Sequence, residues 1–568
     1  MRAWAIVLGV LLFGGVARAA EAPVRYQLTP VVVNGALTAL AVKLDFKGDP
    51  DGETGLDLPD HWAEAENLSR LMSRIEVKGG TLEPGQGPAR RLRHRPGAQL
   101  EVSYQIAVIG DADPGRDHPK GEPVVRPTWF MAHGEGVFAT PSGRQAAPAR
   151  FAWGARPAGW TLASDLDHLA RRPGRVSDIV DSVVVGGEHL SVVERHLGRA
   201  PLRVAVLGQW PSAPEALADM AARIMTAETA FWRDAPSPFL ITLTPLSGGQ
   251  GGSYSTTGTG KGDAFAIEST TNRDPAQDPH FLAHEYMHTW IANQVGGLSE
   301  QDEARDYWFS EGFTDFYASR ILLRAGIWSL EDFAGRYNEV LARYDGSPAR
   351  NFTADQVMAA FWTNQNAQQS PYDRGRLLAV IWDRAIRTAS GGRLSLDDVM
   401  RRQLAAVRTG GAKGTGASLF PAMMSATAPG LAVEADLARH VTRGDTVRLP
   451  SDVFGACLTV SDVTIPVFDR GFDGETSAKT GVISGVDPAG PAYAAGLRDG
   501  MKRLGRVGGT EGDSRVAIAY RVAAADGGER LIQYLPAGRA TFQLQTVSVP
   551  QSLSPAQRAA CVRDLGGT

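Results

Sequence analysis

Residues 281–290 read FLAHEYMHTW and residues 307–317 read YWFSEGFTDFY; the fold and chemistry of the rest of the chain are read outward from these two stretches. On a helix His284 and His288, four residues apart, project from one face toward a shared ion. Glu285, beside the first imidazole, then reaches water at that ion. A bare HExxH also arises by chance, and a histidine pair in a core or on a surface is the plainer alternative. The second stretch argues against it, because Glu311 lies within a strongly apolar helical segment where a carboxylate is costly to bury without a cation. Two neutral imidazoles and one carboxylate leave a position for water, which is the donor set of a catalytic zinc site holding one ion, and zinc is preferred over cobalt or manganese on geometry and precedent rather than affinity alone. Asp315, one turn beyond Glu311, faces the same side. Its carboxylate is placed to accept a hydrogen bond from a ligand imidazole and so fix the tautomer, the alternative being a solvated helix charge.

Away from this pair the periodicity changes in both directions. Residues 24–151 carry short alternating apolar runs separated by Gly, Pro and Asp clusters, the pattern of an antiparallel β domain, with boundaries set at 20–165. Between 166 and 245 strands at 202–207 and 239–243 surround an amphipathic helix at 213–232. A Gly/Ser/Thr-rich loop at 247–262 and a short strand at 264–268 follow. From 279 to about 441 the periodicity is helical, and 396–407 is the clearest case, with Ser395 as N-cap and Asp398 completing a capping box. Residues 166–450 therefore read as a catalytic domain with an α/β lobe and a helical lobe. The last hundred or so residues return to short strands. The predicted fold class is multidomain α+β.

A chain of 568 residues exceeds a single core, and its 43% hydrophobic and 21% charged content is that of a globular protein rather than a disordered one. A formal net charge of -4 provides no basic field, so no nucleic-acid partner is expected. The N-terminus has Arg2, an apolar run at 4–16 and the small-residue site Ala17-Arg18-Ala19, so 1–19 read as a cleaved signal peptide. That run falls short of the ~20 residues needed to span a bilayer. The mature chain is expected to be exported, periplasmic or secreted, without membrane insertion. Cys457 and Cys561 are the only cysteines; they form one disulfide or stand as two unrelated thiols.

HEYMH followed by WFSEGF resembles the thermolysin-like zinc peptidases, and among them most closely the glycyl aminopeptidase family, a relative of the larger membrane-alanyl aminopeptidase family. The resemblance implies an N-terminal β domain, a thermolysin-like catalytic domain of two lobes and a C-terminal PDZ domain. Residues 481–501, GVISGVDPAGPAYAAGLRDGM, are similar to a bacterial PDZ domain, here placed at 451–550 with a tail at 551–568. Met501 replaces the acidic residue common after the second glycine, and the segment either binds peptide or only packs against the catalytic lobe. Ser370–Gly375, SPYDRG, resembles a Tyr-x-Lys-Gly element, which implies that Tyr372 donates its phenol hydrogen to the developing oxyanion. Arg374 stands where lysine is commoner.

One element departs from the family. Where it carries Gly-Gly-x-Glu-His, with a glutamate that grips the substrate's free amino group, this chain reads Gly251-Gly252-Ser253-Tyr254-Ser255. Tyr254 thus replaces the counter-charge for an ammonium; Glu268 in the following strand is the candidate substitute, the alternative being a strand-edge or structural charge. The expected activity is hydrolysis of a peptide or protein substrate by water, with Glu285 taking its proton. Aminopeptidase and endopeptidase readings stay open. Beside them stand a noncatalytic peptide-binding scaffold of the same fold and a zinc-dependent hydrolase of a nonpeptide substrate such as an epoxide.

Overall fold

The computed structural model describes residues 22–249, 254–299, 301–510, 512–523 and 527–567, so the expected signal peptide and the pair Gly251 and Gly252 lie outside the described residues. The chain divides into two compact units: residues up to 111 with 119–160 and 166–184, and residues 112–118 and 161–165 with 185 onward. The protein is a multidomain α+β chain, β-rich at the N-terminus and largely helical beyond it.

In the first unit, Val24–Val33 and Ala36–Lys47 form a hairpin whose alternating burial follows the period of a half-buried strand. Asn34 and Gly35 turn it with φ of 55° and 84°, both left-handed as a two-residue hairpin turn requires. Tyr26, Leu40, Leu44, Val102, Tyr104 and Phe151 fill the core under this sheet. The expectation of an antiparallel domain needs one amendment, because Val24–Val33 also pairs in parallel with Pro148–Trp153. The long excursion of chain between those strands permits the crossover that a parallel pair needs.

A five-stranded sheet opens the second unit, in the order Ser191–Leu197, Ala200–Val206, Phe239–Leu246, Ala264–Thr270, Thr256–Lys261. Helix Pro214–Trp232 makes the crossover between two parallel neighbours, Ala200–Val206 and Phe239–Leu246. Leu202, Val204, Ile241, Leu243, Phe265 and Ile267 join the core that the helices close. Thr256–Lys261, expected as part of a loop, is an edge strand antiparallel to Ala264–Thr270. Its sequence, TTGTGK, has no apolar alternation to mark it, and pairing with a buried neighbour makes it a strand.

Helices Pro279–Met287, Glu303–Arg324, Leu330–Gly346, Gln365–Ser390 and Leu396–Arg408 follow. Asp278 caps the first by accepting a hydrogen bond from Phe281 N at 3.2 Å, with Pro279 at the first helical position. Ser395 and Asp398 form the expected capping box of the last. Among the described residues no helix is long and apolar enough to cross a membrane.

Residues 459–548 contribute a two-stranded ribbon, Thr459–Phe468 with Ala537–Ser548, whose Ile465, Leu544 and Val547 join the core of the helices, and a three-stranded sheet around a small core of Ile483, Leu497, Ile518, Val522 and Ile532. The strand expected at the start of 481–501 is reduced to a single bridge between Val482 and Lys502. Asn338, on helix Leu330–Gly346, docks the ribbon by donating to Val547 O at 2.8 Å and accepting from Val547 N at 2.7 Å. Cys457 and Cys561 are bonded, with Cα atoms 5.3 Å apart, and so join the two chain segments flanking this region.

Candidate metal centre and active site

The helical spacing does what it predicts. His284 Nε2 lies 3.1 Å from His288 Nε2 and 3.1 Å from Glu311 Oε2, while His288 Nε2 lies 3.5 Å from the same oxygen. These three side chains each offer one ligand atom, all within 4.8 Å of one another. Glu311 comes from the buried middle of helix Glu303–Arg324, whose flanks Trp308, Phe309 and Phe313 meet Phe420 edge-on or tilted in an aromatic core. Burial opposes ionisation of Glu311, yet the adjoining His288 and His284 hold its carboxyl well below the usual range in the metal-free protein.

Asp315 Oδ1 accepts a hydrogen bond from His284 Nδ1 at 3.1 Å, which leaves the Nε2 lone pair of that imidazole facing the ligand cluster. His288 Nδ1 donates to Ile291 O at 3.4 Å, a weaker version of the same arrangement. The donor set fits a zinc ion: two imidazole nitrogens with their tautomers set from behind and one carboxylate oxygen, converging from two helices.

Glu285 follows His284 on the same helix and faces the edge strand. A Cβ placed on Gly258 would lie 2.9 Å from Glu285 Cδ and 2.5 Å from Phe265 Cε2, so only glycine lets the strand Thr256–Lys261 lie this close. Tyr372 lies on helix Gln365–Ser390 immediately after Pro371, which interrupts the helical hydrogen-bond ladder there. Its ring is nearly parallel to that of His284, with centroids 6.3 Å apart and an interplanar angle of 12°. Burial first, then the negative charge of Glu311, push its phenol far above the usual tyrosine range, so Tyr372 keeps its proton and can donate.

The remaining sequence candidates are placed differently. Tyr254 stacks under the guanidinium of Arg273, 4.2 Å from its ring centroid, and Arg273 in turn pairs with the helix cap Asp278. Glu268 is 7% exposed and alternates with Phe265 and Ile267 along its strand; those two face the helices, so Glu268 points to the opposite face of the sheet. The structure does not bring it to the metal cluster.

Two residues near the site had no signal in the sequence. His280 Nε2 lies 3.6 Å from Asp315 Oδ1, and Arg376 Nη1 lies 3.8 Å from Asp315 Oδ2. Spacing alone places His280 one turn before His284, but its partners come from other helices.

Residues 278–378 match the sequence profile of the M61 glycyl aminopeptidase family. No curated protein matches the chain by sequence. Among solved structures, an aminopeptidase N family protein from Idiomarina loihiensis is similar with a TM-score of 0.67 at 16% identity, over 95% of this chain and 100% of that one. At that identity the likeness is one of fold. An M1 zinc metallopeptidase from Deinococcus radiodurans, an alanine variant bound to a Tyr-Ser-Ala substrate, aligns with a TM-score of 0.47 at 17% identity, over 76% of this chain and 96% of that chain.

Proposed function

We propose that this chain, whose segment 278–378 carries the glycyl aminopeptidase family profile, is an exported zinc metallopeptidase that cleaves peptide bonds with water as the nucleophile. The observation that carries the reading is the convergence of His284, His288 and Glu311 with Asp315 behind and Glu285 and Tyr372 beside them. Bound zinc supplies a Lewis acid that polarises the scissile carbonyl and makes water acidic enough to be deprotonated near neutral pH. Glu285 accepts the proton from the attacking water and carries it to the departing amine. Tyr372, a phenol that stays protonated, donates a hydrogen bond to the oxygen on which negative charge develops.

Thr256–Lys261 lies at the edge of its sheet beside Glu285, so an extended peptide can add to it as a further strand, with backbone hydrogen bonds holding it across the site. That geometry suits internal peptide bonds as well as terminal ones. Endopeptidase action is the second reading, favoured by the occupation of Tyr254 with Arg273 and by the direction of Glu268, which faces away from the helices that carry the cluster. Export is supported by the N-terminal apolar run and by a disulfide, which persists in oxidising compartments. For the PDZ-like segment, the docking of Val547 on Asn338 supports a packing role over peptide capture.

The test is digestion of a mixed peptide library by the mature protein, with and without a zinc chelator, beside Glu285→Ala. Chelator-sensitive cleavage that disappears in the variant is expected, and the new termini separate stepwise from internal cutting. Zinc binding without any cleavage would sink the peptidase reading and favour a scaffold or a nonpeptide substrate.

A further inference from the structure

Asp315 is approached from three directions and hydrogen-bonded from one. Its Oδ1 accepts from His284 Nδ1 at 3.1 Å and faces His280 Nε2 at 3.6 Å, while its Oδ2 faces Arg376 Nη1 at 3.8 Å. Arg376 is fully buried, lies over the ring of Tyr337 at 5.0 Å and bonds Ser319, so its position is fixed by partners on two neighbouring helices. His280 is fixed differently. Its ring lies flat on Trp328, with centroids 5.6 Å apart and planes 12° from parallel, which aims Nε2 at Asp315.

That nitrogen is buried and makes no hydrogen bond among the described residues, although Asp315 Oδ1 lies just beyond bonding range. A buried N–H left unpaired is costly, so a packing residue at this position would be better served by an apolar ring of the same size. The short step that brings Nε2 onto Asp315 resolves the cost. It also restrains the carboxylate that orients His284.

We propose that His280 is a positioning residue for the zinc site, acting through Asp315 to hold the His284 imidazole in the orientation and tautomer that ligate metal. It touches neither substrate nor metal. The inference rests on the metal reading above and deepens it by naming a third histidine on the same helix face that serves the site without ligating.

The test uses the mature full-length protein, two variants and zinc itself as the probe. His280→Phe keeps the stack on Trp328 and removes the polar nitrogen; His280→Gln gives up the ring but can place an amide N–H near Nε2. Zinc affinity is measured by competition with a chromogenic chelator, and folding by thermal denaturation of the metal-free protein. Expected is a zinc affinity about 10- to 100-fold weaker in His280→Phe, the usual cost of losing such an outer partner, with its metal-free melting temperature no lower than wild type. His280→Gln should stay within about threefold of wild type on the same scale. Equal zinc affinity in His280→Phe and wild type would overturn the inference, as would equal losses in both variants, since the effect would then follow ring packing. A His280→Phe protein that fails to fold would overturn it too, because the residue's main role would be structural. Failure of the wild-type protein itself to bind zinc is a separate result, and it would remove the metal reading on which this one stands.

Discussion

Gly312 and Gly375 meet where the helix carrying Glu311 crosses the helix carrying Tyr372: a Cβ built on Gly312 would lie 2.5 Å from Gly375 Cα. The contact is as tight in the other direction, where a Cβ on Gly375 would fall 1.7 Å from Trp308 O. Each glycine is adjacent to, or one turn from, a candidate catalytic side chain, so the crossing sets the separation of the metal ligand from the oxyanion donor. Gly375→Ala has no flexible side chain to displace and must push backbone apart. A loss of ~3 kcal/mol or more in chemical denaturation is expected, together with weakened zinc retention. A variant with wild-type stability and activity would mean that the helices are not held at this distance.

Tyr254 provides a test of end recognition. A carboxylate introduced by Tyr254→Glu alone should pair with Arg273, the present partner of the phenol ring, and leave substrate preference unchanged. Combined with Arg273→Ala, the same substitution should raise cleavage of free-amino peptides over N-acetylated ones by about tenfold or more, as a charge-assisted hydrogen bond to an ammonium would. The measurement is the ratio of kcat/KM for matched peptide pairs. An unchanged ratio in the double variant would show that residue 254 does not face the substrate's terminus.

Much of the site was legible because α-helical periodicity is rigid. Four-residue spacing put His284 and His288 on one face, and an acid in an apolar helix at Glu311 required a cation; Asp315 followed from the next turn. Tyr372 had no such internal logic and came only from the family resemblance of SPYDRG. The edge strand Thr256–Lys261 was hidden, since its Thr and Gly residues gain strand character from the neighbour they pair with. His280 and Arg376 were hidden for a related reason: Trp328, Tyr337 and Asp315, which give them meaning, arrive from other helices or later turns. For Glu268 the residue type was visible in the sequence, whereas the facing of its strand was not.

The Cys457–Cys561 bond closes a loop with a sequence separation of 104 and ties helix Pro555–Leu565 back to the catalytic core. Replacing both cysteines by serine should lower stability by ~5 kcal/mol, the loop-entropy expectation for a loop of this length. Urea denaturation of the oxidised wild type, the reduced wild type and the double variant checks it. The latter two should coincide; a variant as stable as the oxidised protein would mean that packing of the last helix alone holds the region.

Glu228 is a buried acid of the catalytic core: it is fully buried on helix Pro214–Trp232, and neither carboxyl oxygen has a hydrogen-bond partner among the described residues. Burial raises its pKa well above the ordinary 4.5, against a smaller opposing pull from His284. The folded metal-free protein therefore keeps this proton at pH values where the unfolded chain has released it. Stability from this group is fully present below about pH 4.5 and is lost as pH rises toward the folded-state value, by up to ~1.4 kcal/mol per pH unit. Glu228→Gln has the same shape and no titration, so its stability should match wild type in acid and exceed it increasingly toward neutral pH. Denaturation midpoints of both metal-free proteins across pH 4 to 8, at ~0.5-unit steps, read the difference directly. Parallel curves would mean that Glu228 ionises as readily in the fold as in water, with a partner that compensates its burial.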